Sequence, residues 1–404
     1  MAPRTHRPAF LTTGTPVVVF VSLLTFLHYA AAQMRGPVVP LYAAAHGATA
    51  TAVGLIVGAH MAAASLGSVP LGRASDVWGR RALLLGGMAV GVATSLALPL
   101  VDGPLGLIAI YGLAGLGAAA FTPSALSMVG DAAPAGRAGH AFAWYSTAHY
   151  GAIGVGPFLG GLAAEWWGYR PALVGSAIGI AAALLVGLAL PISARGHSIQ
   201  VAGATFADIK ETRGVWAGWI VAVSGMLVQG VVFTFFPLLA HQRGLAPAAI
   251  GLVFLVLGLA NTLARFPAGW LVDRFGRCAL FAISGVLAAS GATVLFPHAE
   301  GTVPLLALAA GFGGVSGLAF VAVSVGLAAT TPAARGLVMG GYSTALYLGL
   351  ALGSMALGPV ITRQGYEVGF ATGGAMGGVG ALVAALLWAR GRTHRSAPPQ
   401  GAGI

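Results

Sequence analysis

Carboxylates are the scarcest chemistry in this chain. Nine Asp and Glu stand against twenty Lys and Arg in 404 residues, and charged residues make up 7% of the total against 57% hydrophobic. Soluble domains carry about 25% charged residues, so most of this surface faces something other than water. A single cysteine, Cys278, excludes an internal disulfide and a cysteine-based metal framework. It reads as a structural thiol at a helix end. The net charge of +11 is spread singly between apolar blocks; no basic stripe forms, which sets nucleic acid aside as a partner. No G-x-x-x-x-G-K-[ST] loop is present, so ATP is not the energy source. No nucleophile–base pairing, carboxylate pair or metal cluster points to an enzyme, and neither cofactor nor metal is expected.

Glycine, in contrast, is abundant: sixty-three residues. Small residues let membrane helices approach closely. A bilayer crossing takes about 20 apolar residues. Breaks at charges and at Pro/Gly predict twelve spans, 16–40, 49–72, 80–100, 104–130, 136–163, 168–191, 214–240, 247–270, 277–297, 302–330, 335–361 and 366–389. The expected fold is an all-α integral membrane protein, two pseudo-repeated six-helix bundles (16–191 and 214–390), with tails 1–15 and 391–404 and a linker 192–213. The linker ends in Phe206–Arg213, expected as an amphipathic surface helix. With the N-terminus cytoplasmic, only Arg35, Arg170, Arg243 and Arg363 fall outside or in the outer half of spans, and the other sixteen basic residues fall inside. Both termini are then cytoplasmic. Arginine in place of lysine, with much Ala and Gly, suggests a bacterial inner-membrane protein; a monomer in the lipid bilayer is expected. Arg4, Arg7 and Ala30–Ala32 also resemble a signal peptide. Removing that segment would leave the seventh span without its repeat partner.

The repeat has a spacing of 197. Gly67–Arg81, GSVPLGRASDVWGRR, returns as Ala264–Cys278, ARFPAGWLVDRFGRC. Tyr145-Ser146-Thr147-Ala148-His149-Tyr150 faces Tyr342-Ser343-Thr344-Ala345-Leu346-Tyr347 at the same spacing. Two halves meeting at a central axis suit a transporter with its site at the midplane.

At these residues the chain resembles the major facilitator superfamily. The first hinge is similar to its signature G-x-x-x-D-x-x-G-R-R/K in Gly72, Asp76, Gly79, Arg80 and Arg81, and the second keeps Gly269, Asp273, Gly276 and Arg277. The resemblance implies a cytoplasmic latch: Asp76 against the start of helix 11 near Arg335, Arg80 paired with Asp131, Asp273 against the start of helix 5 near Arg137. Gly72 is expected to allow close packing and Gly79 a tight turn. Gly156-Pro157-Phe158-Leu159-Gly160-Gly161 resembles the G-P-x-x-G-G motif of the family's proton-coupled exporters, with Ala152 at the upstream glycine. In the fourth span Leu107, Gly115, Gly117, Ala118 and Ala119 fit the exporter pattern, but Tyr111 takes its arginine place and Ala114 its glutamine place.

Ionisable groups inside a membrane are functional candidates by default. No Asp or Glu falls at mid-span; three histidines do, His28, His60 and His149. Gln33, Arg35, Tyr111, Tyr145, Gln229, Asn261, Tyr342 and Tyr347 complete the candidate substrate and proton pathway, with Phe233, Phe235 and Phe236 as apolar area on the seventh span and Arg265 assigned to the latch. Three readings stand. The first is proton-coupled efflux of small amphipathic molecules by alternating access, with a histidine carrying the proton. The second is uptake or facilitated diffusion of a small organic anion at Arg35. The third is a receptor or scaffold without transport, which has no need of two intact hinges.

Overall fold

In lipid every backbone N–H and C=O must be satisfied within the protein, and a chain this apolar meets that demand with helices. The computed structural model describes residues 14–134, 138–190, 209, 212–330 and 335–393. Among them there is no strand. The helices are α1 (Thr15–Gln33), α2 (Arg35–Ala45), α3 (Ala50–Trp78), α4 (Arg80–Ala97), α5 (Pro104–Ala132), α6 (Ala138–Trp167), α7 (Tyr169–Gly187), α8 (Arg213–Gln242), α9 (Pro247–Phe275), α10 (Cys278–Leu295), α11 (Thr302–Thr330) and α12 (Arg335–Thr393). Ten helical stretches of the described residues are long and apolar enough to cross a membrane, α1 and α2 counting as one. The helix α6 is not among them: His140, Trp144, Tyr145, His149 and Tyr150 lower its hydropathy. The last stretch is too long for a single crossing of about 30 Å; its backbone leaves the helix at Gly365 (φ 86°). Most of the expected tails and of the linker, including Phe206–Lys210 apart from Ile209, lies outside the described residues.

Several boundaries differ from expectation. The first span runs past residue 40 to Ala45 and breaks at Met34. Pro37 and Pro40 lack the N–H groups that the carbonyls of Gln33 and Gly36 would accept, so the helix cannot continue smoothly. The hinge is not a loop between spans. Helices α3 and α9 run on to Trp78 and Phe275, carrying Gly72, Asp76 and Asp273 on their last turns, and the turn itself is Gly79 (φ 98°) or Gly276 (φ 61°).

The 197-residue repeat is written into the backbone. Positive-φ glycines come in pairs at that spacing: Gly47 with Gly244, Gly79 with Gly276, Gly168 with Gly365. The helices before and after the linker pack on each other along two seams, α3 against α12 and α6 against α9. Contacts in one seam reappear in the other. A Cβ at Gly54 would strike the carbonyl of Ser354, and one at Gly251 that of Pro157; Gly161 meets Pro247 and Gly358 meets Ala50 in the same way. The Thr51 N–H donates to Thr362 Oγ1 at 3.0 Å, and the Ala248 N–H donates to Glu165 Oε2 at 3.0 Å. These are equivalent bonds. In each, a side chain near the end of one helix caps an orphan N–H in the first turn of a helix from the other set.

The same end carries a cluster on Asp102. It accepts from the Tyr42 hydroxyl at 2.8 Å and Arg170 Nη2 at 2.7 Å, with His46 Nε2 at 3.4 Å. The Tyr42 and Arg170 hydrogen bonds hold the Asp102 carboxyl below its usual pKa. Deeper along the first seam, Ser65 Oγ donates to the Thr344 carbonyl at 3.4 Å. The capping bonds that clasp the two sets thus gather at the end away from the hinges.

Two outcomes are expected. In a Cys278→Ser background, Thr51→Cys with Thr362→Cys forms a disulfide on mild oxidation, because the two Oγ1 atoms lie 2.9 Å apart; Asp76→Cys with Asp273→Cys does not, as non-reducing gels will show. A depressed folded pKa stabilises above the unfolded value, and the stabilisation is lost as pH falls through the folded one. Thermal unfolding between about pH 5 and 3 should therefore show an acid-dependent loss that Asp102→Asn reduces.

Candidate functional site: a polar seam between two helix sets

Where the sets meet at mid-depth, α1, α5, α6 and α12 bring aromatic and hydroxyl groups together. The Tyr29 hydroxyl is bonded to Thr122 Oγ1, and Tyr347 of the other set lies close to both. The His149 ring stands edge-on to Tyr29 with centroids 4.2 Å apart. His28, one residue before Tyr29, turns the other way and stacks on Phe121 at 4.1 Å. The Nδ1 atoms of both histidines are buried without a hydrogen-bond partner. Buried polar atoms are nearly always satisfied, so each exception calls for a functional or solvent explanation.

Two of the three candidate histidines therefore meet around Tyr29, and the third does not. His60 stacks on Tyr111 at 4.5 Å, and its Nδ1 lies 3.0 Å from the Tyr111 carbonyl. A carbonyl only accepts, so Nδ1 is the protonated nitrogen there. The Arg35 guanidinium sits 5.8 Å from the Tyr111 ring centroid, with Nε donating to the Ala32 carbonyl at 3.0 Å. Arg35 is only 5% exposed and its Nη1 has no partner. It does not reach out to an interface. Gln33 packs its Cβ on Gly156, and Gly160 lies against the Met34 carbonyl. The α6 motif thus seats the break in the first span: its glycines admit α1 and α2, and Gly161 with Pro157 carries the approach on to α9.

Arg265 departs from the expectation that it belongs to the hinge latch. Its guanidinium carbon lies 3.4 Å from the Tyr150 ring centroid and 4.3 Å from that of Phe320, while Nε and Nη2 donate to Asn261 Oδ1 at 3.2 and 3.0 Å. Cation–π contacts of this kind are worth roughly 0.5–2 kcal/mol. Tyr150 belongs to α6 and Phe320 to α11, so the arginine bridges the two sets. Beside Phe320 a narrow cleft of about 20 Å³, room for about one water, is lined by Gln229, Ser316 and Tyr342 among others. The Tyr342 hydroxyl, Ser316 Oγ and the Tyr145 hydroxyl are buried without partners. Phe235 and Phe236, expected to offer apolar area, are buried in the core; Phe236 packs edge-on against Phe254 and Phe296, and Phe233 packs on Phe254.

At the hinges the two copies diverge. Arg80 pairs with Asp131, donates from Nη1 to the Ser127 carbonyl at 2.7 Å, and has Asp76 3.8 Å away. Asp76 turns to Arg80 on the next helix. Arg335 begins α12, but its side chain lies outside the described residues, as does the whole of Arg137. Asp273 and Arg277 are exposed, and α11 has no acid matching Asp131 where it reads Gly326-Leu327-Ala328-Ala329. Close packing at Gly72 is not required: a Cβ there would meet Pro123 at an ordinary 3.6 Å. No group of three or more His, Cys, Asp or Glu able to hold a metal occurs among the described residues.

The sequence profile of the Major Facilitator Superfamily matches residues 21–246 and again 218–403. The chain belongs to this superfamily. It is 24% identical over 358 residues to an uncharacterised MFS-type transporter of Methanocaldococcus jannaschii, covering 84% of this chain and 90% of that one. It is 26% identical over 271 residues to a chloramphenicol resistance protein of Pseudomonas aeruginosa, covering 64% and 62%. Its fold matches the crystal structure of a point mutant of the nucleoside transporter NupG with a TM-score of 0.77 at 16% identity, over 92% of this chain and 100% of that one. The protein is a multi-pass membrane transporter and not an enzyme.

The Arg265 bridge and the Tyr29–Thr122 pair were not legible in the sequence. Tyr150 and Tyr347 lie in the repeated string, which marks them as important, but nothing there says that an arginine from the other half rests on one of them. The divergence of the hinges yields a test. The Arg80–Asp131 pair is partly screened, Asp131 being 42% exposed, so Asp131→Asn should lower stability by about 1 kcal/mol. Asp273→Asn should stay within about 0.5 kcal/mol by thermal unfolding in detergent.

Proposed function

We propose that this transporter exports small amphipathic molecules in exchange for protons, by rocking two six-helix bundles (16–191 and 214–390) about the polar seam. In this reading the chain crosses the membrane twelve times: α6 is the fifth crossing, and Gly365 parts the eleventh from the twelfth. The hinges and both termini face the cytoplasm of a bacterial inner membrane, and the unit is a monomer. The clasped end is then the outer one. The hinge groups Gly72, Asp76, Gly79, Arg80, Asp131, Asp273, Gly276 and Arg277 form its cytoplasmic gate.

The observation that carries this reading is the placement of His28 and His149 around Tyr29. Imidazole is the side chain whose ordinary titration falls near neutral pH, the described spans hold no mid-depth carboxylate to do that work, and both Nδ1 atoms are buried with hydrogen-bonding capacity unused. Similarity over 125 residues, at 33% identity, to a multi-drug resistance efflux pump homologue of Lactococcus lactis supports export. A second reading, uptake or facilitated diffusion of a small organic anion, is favoured by Arg35, a buried cation with an unpartnered Nη1. A receptor without transport is disfavoured by the retention of both hinge turns.

The test uses purified protein in liposomes that enclose a pH-sensitive dye. A proton gradient is imposed, and amphipathic cations, neutral compounds and organic anions are added in turn. Export by exchange predicts substrate-dependent proton movement opposite to substrate flux. His149→Asn should abolish the proton signal while counterflow of substrate persists. Anion movement without protons, lost in Arg35→Gln, would replace this reading with the second.

A further inference from the structure

The strongest unspent chemistry in the seam is the positive charge of Arg265. It is held at the junction of the two sets, on the Tyr150 ring from one and the Phe320 ring from the other. Its hydrogen-bond partner, Asn261, and the two rings it rests on are neutral. Among the described residues no carboxylate forms an ion pair with it; Asp76, Asp102, Asp131, Glu165, Asp273, Glu300 and Glu367 all lie at or near helix ends. A guanidinium presents five N–H donors in a planar fork suited to an oxyanion, and these neutral partners use only part of that set.

The surroundings supply further donors. Tyr342 packs on Phe320 with centroids 5.8 Å apart, and its hydroxyl is buried without a partner. Ser316 Oγ, on the same helix as Phe320, is likewise buried and unpartnered. Both line the cleft that Gln229 and Phe320 share. The cleft lined by Tyr342 and Ser316 thus adjoins Arg265 through the Phe320 ring, and no carboxylate of the described residues pairs with the arginine. Arg35, on α2, is a second guanidinium inside the described spans and is 5% exposed.

We propose that Arg265 binds the head group of an organic oxyanion, a carboxylate or sulfonate, whose apolar body widens the cleft beside Phe320 and Tyr342 beyond its room for about one water, with Tyr342 and Ser316 as accessory donors. The inference rests on the transport reading above and names its substrate class. Hydrogen bonds between a guanidinium and an oxyanion are roughly twice as strong as neutral ones. The ligand therefore competes with Tyr150 for the guanidinium, and loading the site loosens a contact between the sets.

The full-length purified chain in detergent would be titrated with 2-naphthalenesulfonate, with a naphthyltrimethylammonium of matched shape, and with 2-naphthol. The sulfonate should bind at least about tenfold more tightly than the cation. Arg265→Gln should weaken it by about tenfold or more, Arg265→Lys by less, and Tyr342→Phe and Ser316→Ala by a few-fold each. Unchanged sulfonate affinity in folded Arg265→Gln, or preference for the cation, overturns the proposal. Should Arg265→Gln fail to fold, the combined Arg265→Lys and Tyr342→Phe variant decides: weakened binding supports the site, unchanged binding overturns it. Counterflow in liposomes separates the two levels. Sulfonate bound at Arg265 but never exchanged for protons would sink the proton-exchange reading of this site and leave the anion site standing. Proton-coupled movement of the cation or the naphthol, with no Arg265-dependent sulfonate binding, would do the reverse.

Discussion

Backbone-to-backbone approach across the two seams is the constraint on which the rest of this structure depends. Apolar side chains gain little by leaving lipid for a protein interior, so helices in a membrane associate through close packing and polar contacts. Gly54, Gly161, Gly251 and Gly358 remove the Cβ atoms that would hold α3 from α12 and α6 from α9. Only with the backbones that near can Thr362 and Glu165 reach the first-turn N–H groups of the opposite helices. The proline break in the first span follows from the same demand, since Gly156 and Gly160 hold the carbonyls of Ala30 and Met34 against α6.

Repeat and function divide along different lines. The scaffold is duplicated: turns, closing glycines and capping bonds all recur at a spacing of 197 residues. The chemistry is not. His28, His60 and His149 belong to the first half, and Gly225, Leu257 and Leu346 stand at their places in the second. Arg265 belongs to the second half, and Ser68 stands at its place in the first. Even the hinges have diverged, one held by Arg80 and Asp131, the other lacking the acid. A duplicated frame sets where groups sit; single substitutions then decide what each half does there.

Much of this frame was readable from residues alone, because it rests on local rules. Runs of about 20 apolar residues mark helices, and glycine marks the turns at Gly79 and Gly276 where φ is positive. The repeat ties the halves together at those turns. What escaped the sequence depends on distance through space. Pro37 and Pro40 announce a kink, but its seating on Gly156 needs two helices placed. Three mid-span histidines look alike in sequence, yet His60 turns to Tyr111 while His28 and His149 share Tyr29. Arg265, within about two helical turns of the hinge acid Asp273, reads as part of the latch until Tyr150 and Phe320 are found on either side of it.

The facing pair Gly154 and Gly258 carries one more consequence. Their backbones touch at mid-length of α6 and α9, Gly258 Cα lying 3.2 Å from where a Cβ of Gly154 would be. Two bare backbones in contact form a bearing: with no side chains to interlock, one helix can roll on the other without changing rotamers. The capping bonds lie at one end of that lever and the hinge turns at the other. An angular change at such a contact displaces the two ends of a helix in opposite senses, so the capped end and the hinge end are coupled through it.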